Sequence, residues 1–171
     1  MDLILWRHAD ATSADSGVDS ARRLTGKGKK QAQQIAAWLD RHLPEGARIV
    51  SSPASRALET AEALGALSGR KLVVRPEVGV GALPAHLLIA AGWPDNRHPV
   101  VIVGHQPTLG RLISLLLSGE ERDMSVRKGS VWWFTTRERK SGAYDIADGP
   151  DQQGGAFKPV ALRIMMCPEF L

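Results

Sequence analysis

The chain of 171 residues carries 22 Lys+Arg against 18 Asp+Glu, 43% apolar residues and a single cysteine. That length fits one domain over residues 1–171, and the ordinary apolar share suffices for a core, which excludes wholesale disorder and collagen-like repeats. Cys167 alone can form neither an internal disulfide nor a four-ligand zinc site, and a net charge of +4 suits an anionic substrate without specifying one.

In chain order, Leu3–Trp6 reads as a buried strand, too short for an export signal or a membrane span. No other apolar run approaches the ~20 residues a spanning helix needs, so the chain is expected in the cytoplasm and away from membranes. Lys27–His42 places Ala32, Ile35, Ala36, Leu39 and Leu43 on one helical face, with Thr25 as N-cap. Arg48–Ser51 is a second strand, and Arg56–Leu67 a second helix with Ala57, Ala61, Leu64 and Leu67 inward. Lys71–Val74 is a third strand, followed by a weaker helix from Pro84 that stops at Gly92. Val100–Val103 is a fourth strand, and Thr108–Ser118 a helix with Leu109, Leu112, Ile113, Leu116 and Leu117 inward and Gly119 as its stop. Strand followed by helix, repeated, predicts an α/β fold: a three-layer α/β/α sandwich around a mainly parallel sheet. Ser130–Thr136 and Val160–Met166 are strand-like. The Gly-, Asp- and Gln-rich stretch Lys140–Lys158 between them reads as a solvated hairpin loop, so these two strands are expected to form an antiparallel edge. Trp132, Trp133 and Phe134 alternate faces, which would turn at least one of them away from the core.

Three polar segments directly follow strands: Arg7-His8, Ser51-Ser52-Pro53-Ala54-Ser55-Arg56 and Gly104-His105-Gln106-Pro107. Parallel strands bring such segments to one rim, where ligands bind in open α/β sheets. Arginine presents a planar donor fork that fits phosphoryl oxygens, which suits Arg7 and Arg56 to phosphate. Helices starting after Pro53 and Pro107 would add backbone N–H groups to the same anion. A neutral imidazole is a competent nucleophile near pH 7, and adjacent arginine keeps His8 uncharged. His105 could hydrogen-bond a non-bridging oxygen.

Four motifs, Leu5-Trp6-Arg7-His8-Ala9, Leu24-Thr25-Gly26-Lys27-Gly28-Lys29-Lys30-Gln31-Ala32, Ser51 through Ala61, and Val103-Gly104-His105-Gln106-Pro107-Thr108, resemble the histidine phosphatase (phosphoglycerate-mutase-like) superfamily, in that family's order. The short length, Asp19-Ser20-Ala21-Arg22, and Met124 through Ser130 resemble its SixA branch of phosphohistidine phosphatases; Tyr144–Lys158 carries none of the resemblance. The resemblance implies two-step phosphoryl transfer without metal or cofactor. His8 would attack phosphorus, Arg7, Arg56 and His105 would form the phosphate pocket, and Arg22 would line its mouth. Glu77, after the third strand, is the implied general acid. Ala9 departs from the family's frequent glycine and Arg23 from its frequent proline.

The reading expected is therefore a monomeric phosphatase that removes phosphate from phosphohistidine of a signalling or phosphocarrier protein. A small-molecule phosphomonoesterase, a mutase and a phosphate-dependent binding module with little turnover are the alternatives; the short loops between Glu77 and Val100 leave little material for a mutase lid. Nucleic acid is not an expected partner, because the basic run Arg22, Arg23, Lys27, Lys29 and Lys30 lacks an aromatic platform and reads as a solvated helix start. Ser51, Ser52 and Ser55 read as turn and capping residues, and Cys167 as a small buried hydrophobe.

Overall fold

Alternation along strand β1 (Asp2–Arg7) organises the molecule: Leu3 and Leu5 face one layer, Ile4 and Trp6 the other, and all four are buried. The computed structural model describes residues 1–13, 18–95, 97–136 and 159–171. After β1 come α1 (Gly26–His42), β2 (Arg48–Ser51), α2 (Ser55–Ser68), β3 (Leu72–Val74), α3 (Pro84–Ala91), β4 (Val100–Gly104), α4 (Thr108–Ser118), β5 (Val131–Thr136) and β6 (Val160–Met166). Short 3-10 turns lie at Asp19–Ala21, Pro76–Val78 and Pro168–Phe170.

The six strands form one sheet in the order β3-β2-β4-β1-β5-β6. β3, β2, β4 and β1 run parallel, β5 is antiparallel to β1, and β6 is antiparallel to β5. Ile4, Trp6, Ile49, Val101 and Val103 pack with α1 and α2 on one face, through Ile35, Leu39, Ala61 and Leu64. Leu3, Leu5, Val50 and Ile102 pack with α3 and α4 on the other, through Leu87, Leu109, Leu112 and Ile113. A strand covered on both faces reads as an unbroken apolar run, which is why Val100 through Val103 show no alternation in the sequence.

The turn chemistry behaves as its residues dictate. Thr25 Oγ1 accepts the Gly28 N–H at 3.0 Å and donates to Asp10 Oδ2 at 2.8 Å, so the cap of α1 also ties down the loop leaving β1. Gly28 is required by that closeness, since a Cβ there would lie 1.9 Å from the Asp10 carbonyl oxygen. Gly119 ends α4 with φ +78°, the left-handed conformation that glycine adopts without strain.

One expectation is corrected. Trp133 is buried in the α1–α2 layer, Phe134 is buried in the α3–α4 layer and Trp132 packs partly buried against that second layer, because helices cover both faces of β5. Trp133 is buried edge-on to Trp38, ring centroids 6.3 Å apart, with the Arg163 guanidinium 5.0 Å from its ring centroid. The expected hairpin loop Lys140–Lys158 lies outside the described residues.

Candidate active site

Register brings the polar segments together. Arg7 pairs with Gly104 and Ser51 with Val103, so the next residue on each strand, His8, His105 and Ser52, emerges at the same rim. The His8 N–H donates to the Gly104 carbonyl at 3.1 Å and the Ser52 N–H to the Val103 carbonyl at 3.1 Å, which continues the sheet ladder into the site. His8 and His105 have ring centroids 5.2 Å apart, tilted by 52°. Arg7 is the last residue of β1 and its Nη1 donates to the Val126 carbonyl. Arg56 lies in the first turn of α2 and is only 4% exposed.

The His8 ring has a defined tautomer. Its Nδ1 lies 2.8 Å from the Ala9 carbonyl oxygen, which can only accept, so Nδ1 carries the proton and Nε2 keeps a lone pair. Burial lowers the His8 pKa to about 4; the Ala9 carbonyl opposes the shift, and Arg56, Arg7 and Arg22 reinforce it. His105 falls further, to about 3, through burial and then the influence of His8 and Arg56, with Asp19 opposing. Both rings are therefore neutral at pH 7, among guanidinium groups that give the site its positive charge.

Asp19 is the residue that sequence reasoning missed. Its carboxylate accepts from Arg56 Nη2 at 2.9 Å and from Arg22 Nη1 at 3.0 Å, while its backbone carbonyl accepts from Arg56 Nη1 at 2.6 Å. Hydrogen bonds from Arg22 and Arg56 hold this carboxyl below the usual aspartate range. The Asp19–Arg22 spacing on a 3-10 turn was a signal for that local pair, but the bond to Arg56 spans 37 positions and left no trace in the pattern. Arg22 is part-exposed and also donates from Nε to the Thr12 carbonyl at 2.6 Å.

Glu77 follows β3 on a turn of its own. It is exposed on the 3-10 turn after β3 and lines a groove of about 550 Å³ with Arg48, Arg75, His86, Ile89, Ala90 and Gly92. None of Arg7, His8, Arg56 and His105 lines that groove. Three buried nitrogens at the rim, Arg7 Nε, Arg56 Nε and His105 Nδ1, have no hydrogen-bond partner among the described residues. Two of these are guanidinium donors, so an anion entering here would find N–H groups without acceptors. Among the described residues no group of three or more His, Cys, Asp or Glu side chains is placed to hold a metal ion, and no helix is long and apolar enough to cross a membrane.

The chain is similar to known proteins. The family model described as "Histidine phosphatase superfamily (branch 1)" matches residues 3–79, from β1 to the turn after β3. The phosphohistidine phosphatase SixA of Escherichia coli (strain K12) is 31% identical over 130 residues, covering 72% of this chain and 79% of that protein. An uncharacterized protein of Picosynechococcus sp. is 34% identical over 138 residues, covering 77% of this chain and 82% of its own. The structure of the protein histidine phosphatase SixA complexed with tungstate superposes with a TM-score of 0.70 at 25% identity, covering 99% of both chains. With its four motifs on the elements that carry them and relatives of this identity and coverage, the chain belongs to the histidine phosphatase superfamily.

Proposed function

We propose that the protein is a phosphohistidine phosphatase working through a phosphorylated His8. The observation that carries this reading is the neutral, tautomer-fixed imidazole of His8 beside His105 and the buried guanidinium of Arg56. In the first step the Nε2 lone pair attacks phosphorus. An Nε2–P bond forms as the P–N bond of the substrate phosphohistidine breaks, and the electron pair leaves with the substrate imidazole, whose other nitrogen draws its proton from solvent. In the second step a water oxygen bonds to phosphorus, the Nε2–P bond breaks, inorganic phosphate departs and the water proton passes to solvent. Arg7, Arg56 and His105 stabilise charge on the phosphoryl oxygens through both steps. Arg22 holds the mouth and positions Asp19.

The identity of the substrate follows from proton demand. An alkoxide leaving group needs an acid in the site, whereas an imidazole leaving group needs little help. Asp19, the carboxylate bonded to Arg56 in this cluster, is held ionised by Arg22 and Arg56 and so is no proton donor. That observation favours a phosphohistidine over an alkyl phosphate ester. The reading takes a single-domain monomer acting in the cytoplasm on a phosphorylated protein.

The test is phosphate release from several phosphohistidine proteins and a panel of sugar and nucleotide phosphates under one set of conditions. Values of kcat/KM at least tenfold higher for phosphohistidine are expected. Equal or higher values for the small esters would establish a phosphomonoesterase instead, and release from none would leave a binding module.

The pH dependence has a definite sign. With His8 lowered to about 4, kcat/KM corrected for substrate ionisation is expected to stay level through pH 6.5 and to fall only as pH approaches 4. Stability follows the same window. The unfolded chain protonates its histidines near ~6.5, so the stability contributed by two neutral buried rings is complete above that pH and is lost as pH falls toward the folded values. A kcat/KM profile with its acid limb at 6.5 would contradict the neutral-site account.

A further inference from the structure

Ser52 makes two contacts that constrain the proton on His105. Its Oγ accepts the Ala54 N–H at 3.2 Å and lies 2.7 Å from His105 Nε2. Both residues are buried, Ser52 completely and His105 with 3% exposure, so neither can be satisfied by bulk water. Two arrangements are possible, and counting polar groups separates them. If His105 Nε2 carried the proton and donated it to Ser52, the Ser52 hydroxyl proton would be buried with no other acceptor among the described residues, and His105 Nδ1 would present a lone pair to nothing. If Ser52 donates to Nε2, its hydroxyl is satisfied twice and a single group is left over, the Nδ1–H of His105. That leftover group is a donor on the ring whose centroid stands 5.2 Å from that of His8, in the pocket where a phosphoryl oxygen is proposed to sit.

We propose that Ser52 is a positioning residue that fixes His105 as the Nδ1–H tautomer and so aims an N–H at the phosphoryl oxygens; the inference rests on the phosphatase reading of this site. The Ala54 N–H matters as much as the hydroxyl. By occupying a lone pair of Ser52 Oγ it turns the hydroxyl proton toward the ring, and Ala54 is the residue immediately before α2, the helix that carries Arg56. The loop between β2 and α2 thus orients two phosphate ligands at once: Arg56 by covalent connection and His105 by a hydrogen bond across the sheet. The other imidazole is set in the same sense by a different group, since the Ala9 carbonyl makes His8 an Nδ1–H tautomer with Nε2 free to attack. Each ring has one nitrogen tied to the fold and one left for phosphorus chemistry.

The test reads the tautomer directly. Long-range proton–nitrogen correlation spectra of the ligand-free protein at neutral pH, with the His105 signals identified by a His105→Gln variant, are expected to show Nδ1 protonated in the wild type. In Ser52→Ala the ring reverts toward the Nε2–H form that free histidine prefers. Loss of one oxyanion donor lowers kcat by about 10²–10³; because the variant keeps a fraction of the productive tautomer, a fall of about tenfold to a hundredfold in kcat, with KM changed less than threefold, is expected. Ser52→Thr keeps the hydroxyl and is expected to restore the wild-type tautomer, with kcat within about threefold. A wild-type ring protonated at Nε2 would overturn the proposal, as would a Ser52→Ala protein whose kcat equals that of wild type. Should Ser52→Ala fail to fold, the wild-type spectrum decides alone. Because that spectrum needs no turnover, a protein that released no phosphate from any substrate would defeat the phosphatase reading while leaving the tautomer measured.

Discussion

Replacing His8 by alanine is expected to lower kcat/KM by a factor on the order of a thousand or more, which corresponds to about 4 kcal/mol of lost transition-state stabilisation. The magnitude follows from removing a covalent route rather than a contact. Water attacking the bound phosphoryl group directly would still find Arg7, Arg56 and His105, so a residual rate from charge stabilisation remains. The fold is expected to survive, since the ring sits at the rim and its backbone bond to Gly104 does not depend on the side chain. Truncation also removes a buried neutral imidazole that makes one hydrogen bond, to the adjacent Ala9. Thermal unfolding of the variant beside its phosphate-release kinetics separates the two effects. Equal rates in variant and wild type would eliminate His8 as nucleophile.

Arg56→Lys is expected to lower kcat/KM by about a hundredfold or more although the charge is conserved. The native guanidinium spends both terminal nitrogens on Asp19, at 2.6 and 2.9 Å, and retains an unpartnered buried Nε. A planar fork can span the Asp19 carbonyl, the Asp19 carboxylate and an incoming phosphoryl oxygen together. An ammonium is a point charge on a flexible stem and cannot reach all three. With Arg56 only 4% exposed, an ammonium in its place would also be poorly solvated, so a small loss of stability accompanies the loss of rate. Steady-state kinetics on a phosphohistidine protein check the prediction, and unchanged catalytic efficiency would reject clamping by that residue.

Both expectations concern residues legible in the amino-acid sequence alone, and the reason is geometric. His8 and His105 lie almost a hundred residues apart, but each ends an apolar run too short and too uniformly hydrophobic to be anything other than a buried strand. Parallel pairing of such strands leaves little freedom in where their carboxyl ends meet. Thr25 and Gly119 marked helix boundaries because capping chemistry is local. Information failed where the deciding contact was distant or depended on strand order. Trp132 to Phe134 alternate as a one-sided edge strand would, and nothing in their own sequence reveals that helices cover both faces of β5. Asp19 was visible only as a neighbour of Arg22, since its hold on Arg56 exists only once α2 has docked. Ser52 is a turn residue by its local sequence, but the same oxygen that accepts from Ala54 also meets His105 across the sheet.

The most direct measurement is rapid quenching of the protein during turnover of a labelled phosphohistidine substrate, under alkaline conditions that preserve phosphoramidates, followed by peptide mapping. Because the Ala9 carbonyl holds the Nδ1 proton, label is expected on His8 and on its Nε2 nitrogen, and on no peptide of the His8→Ala variant. Label on another residue, or turnover with His8 never labelled, would contradict the covalent mechanism on which the account depends.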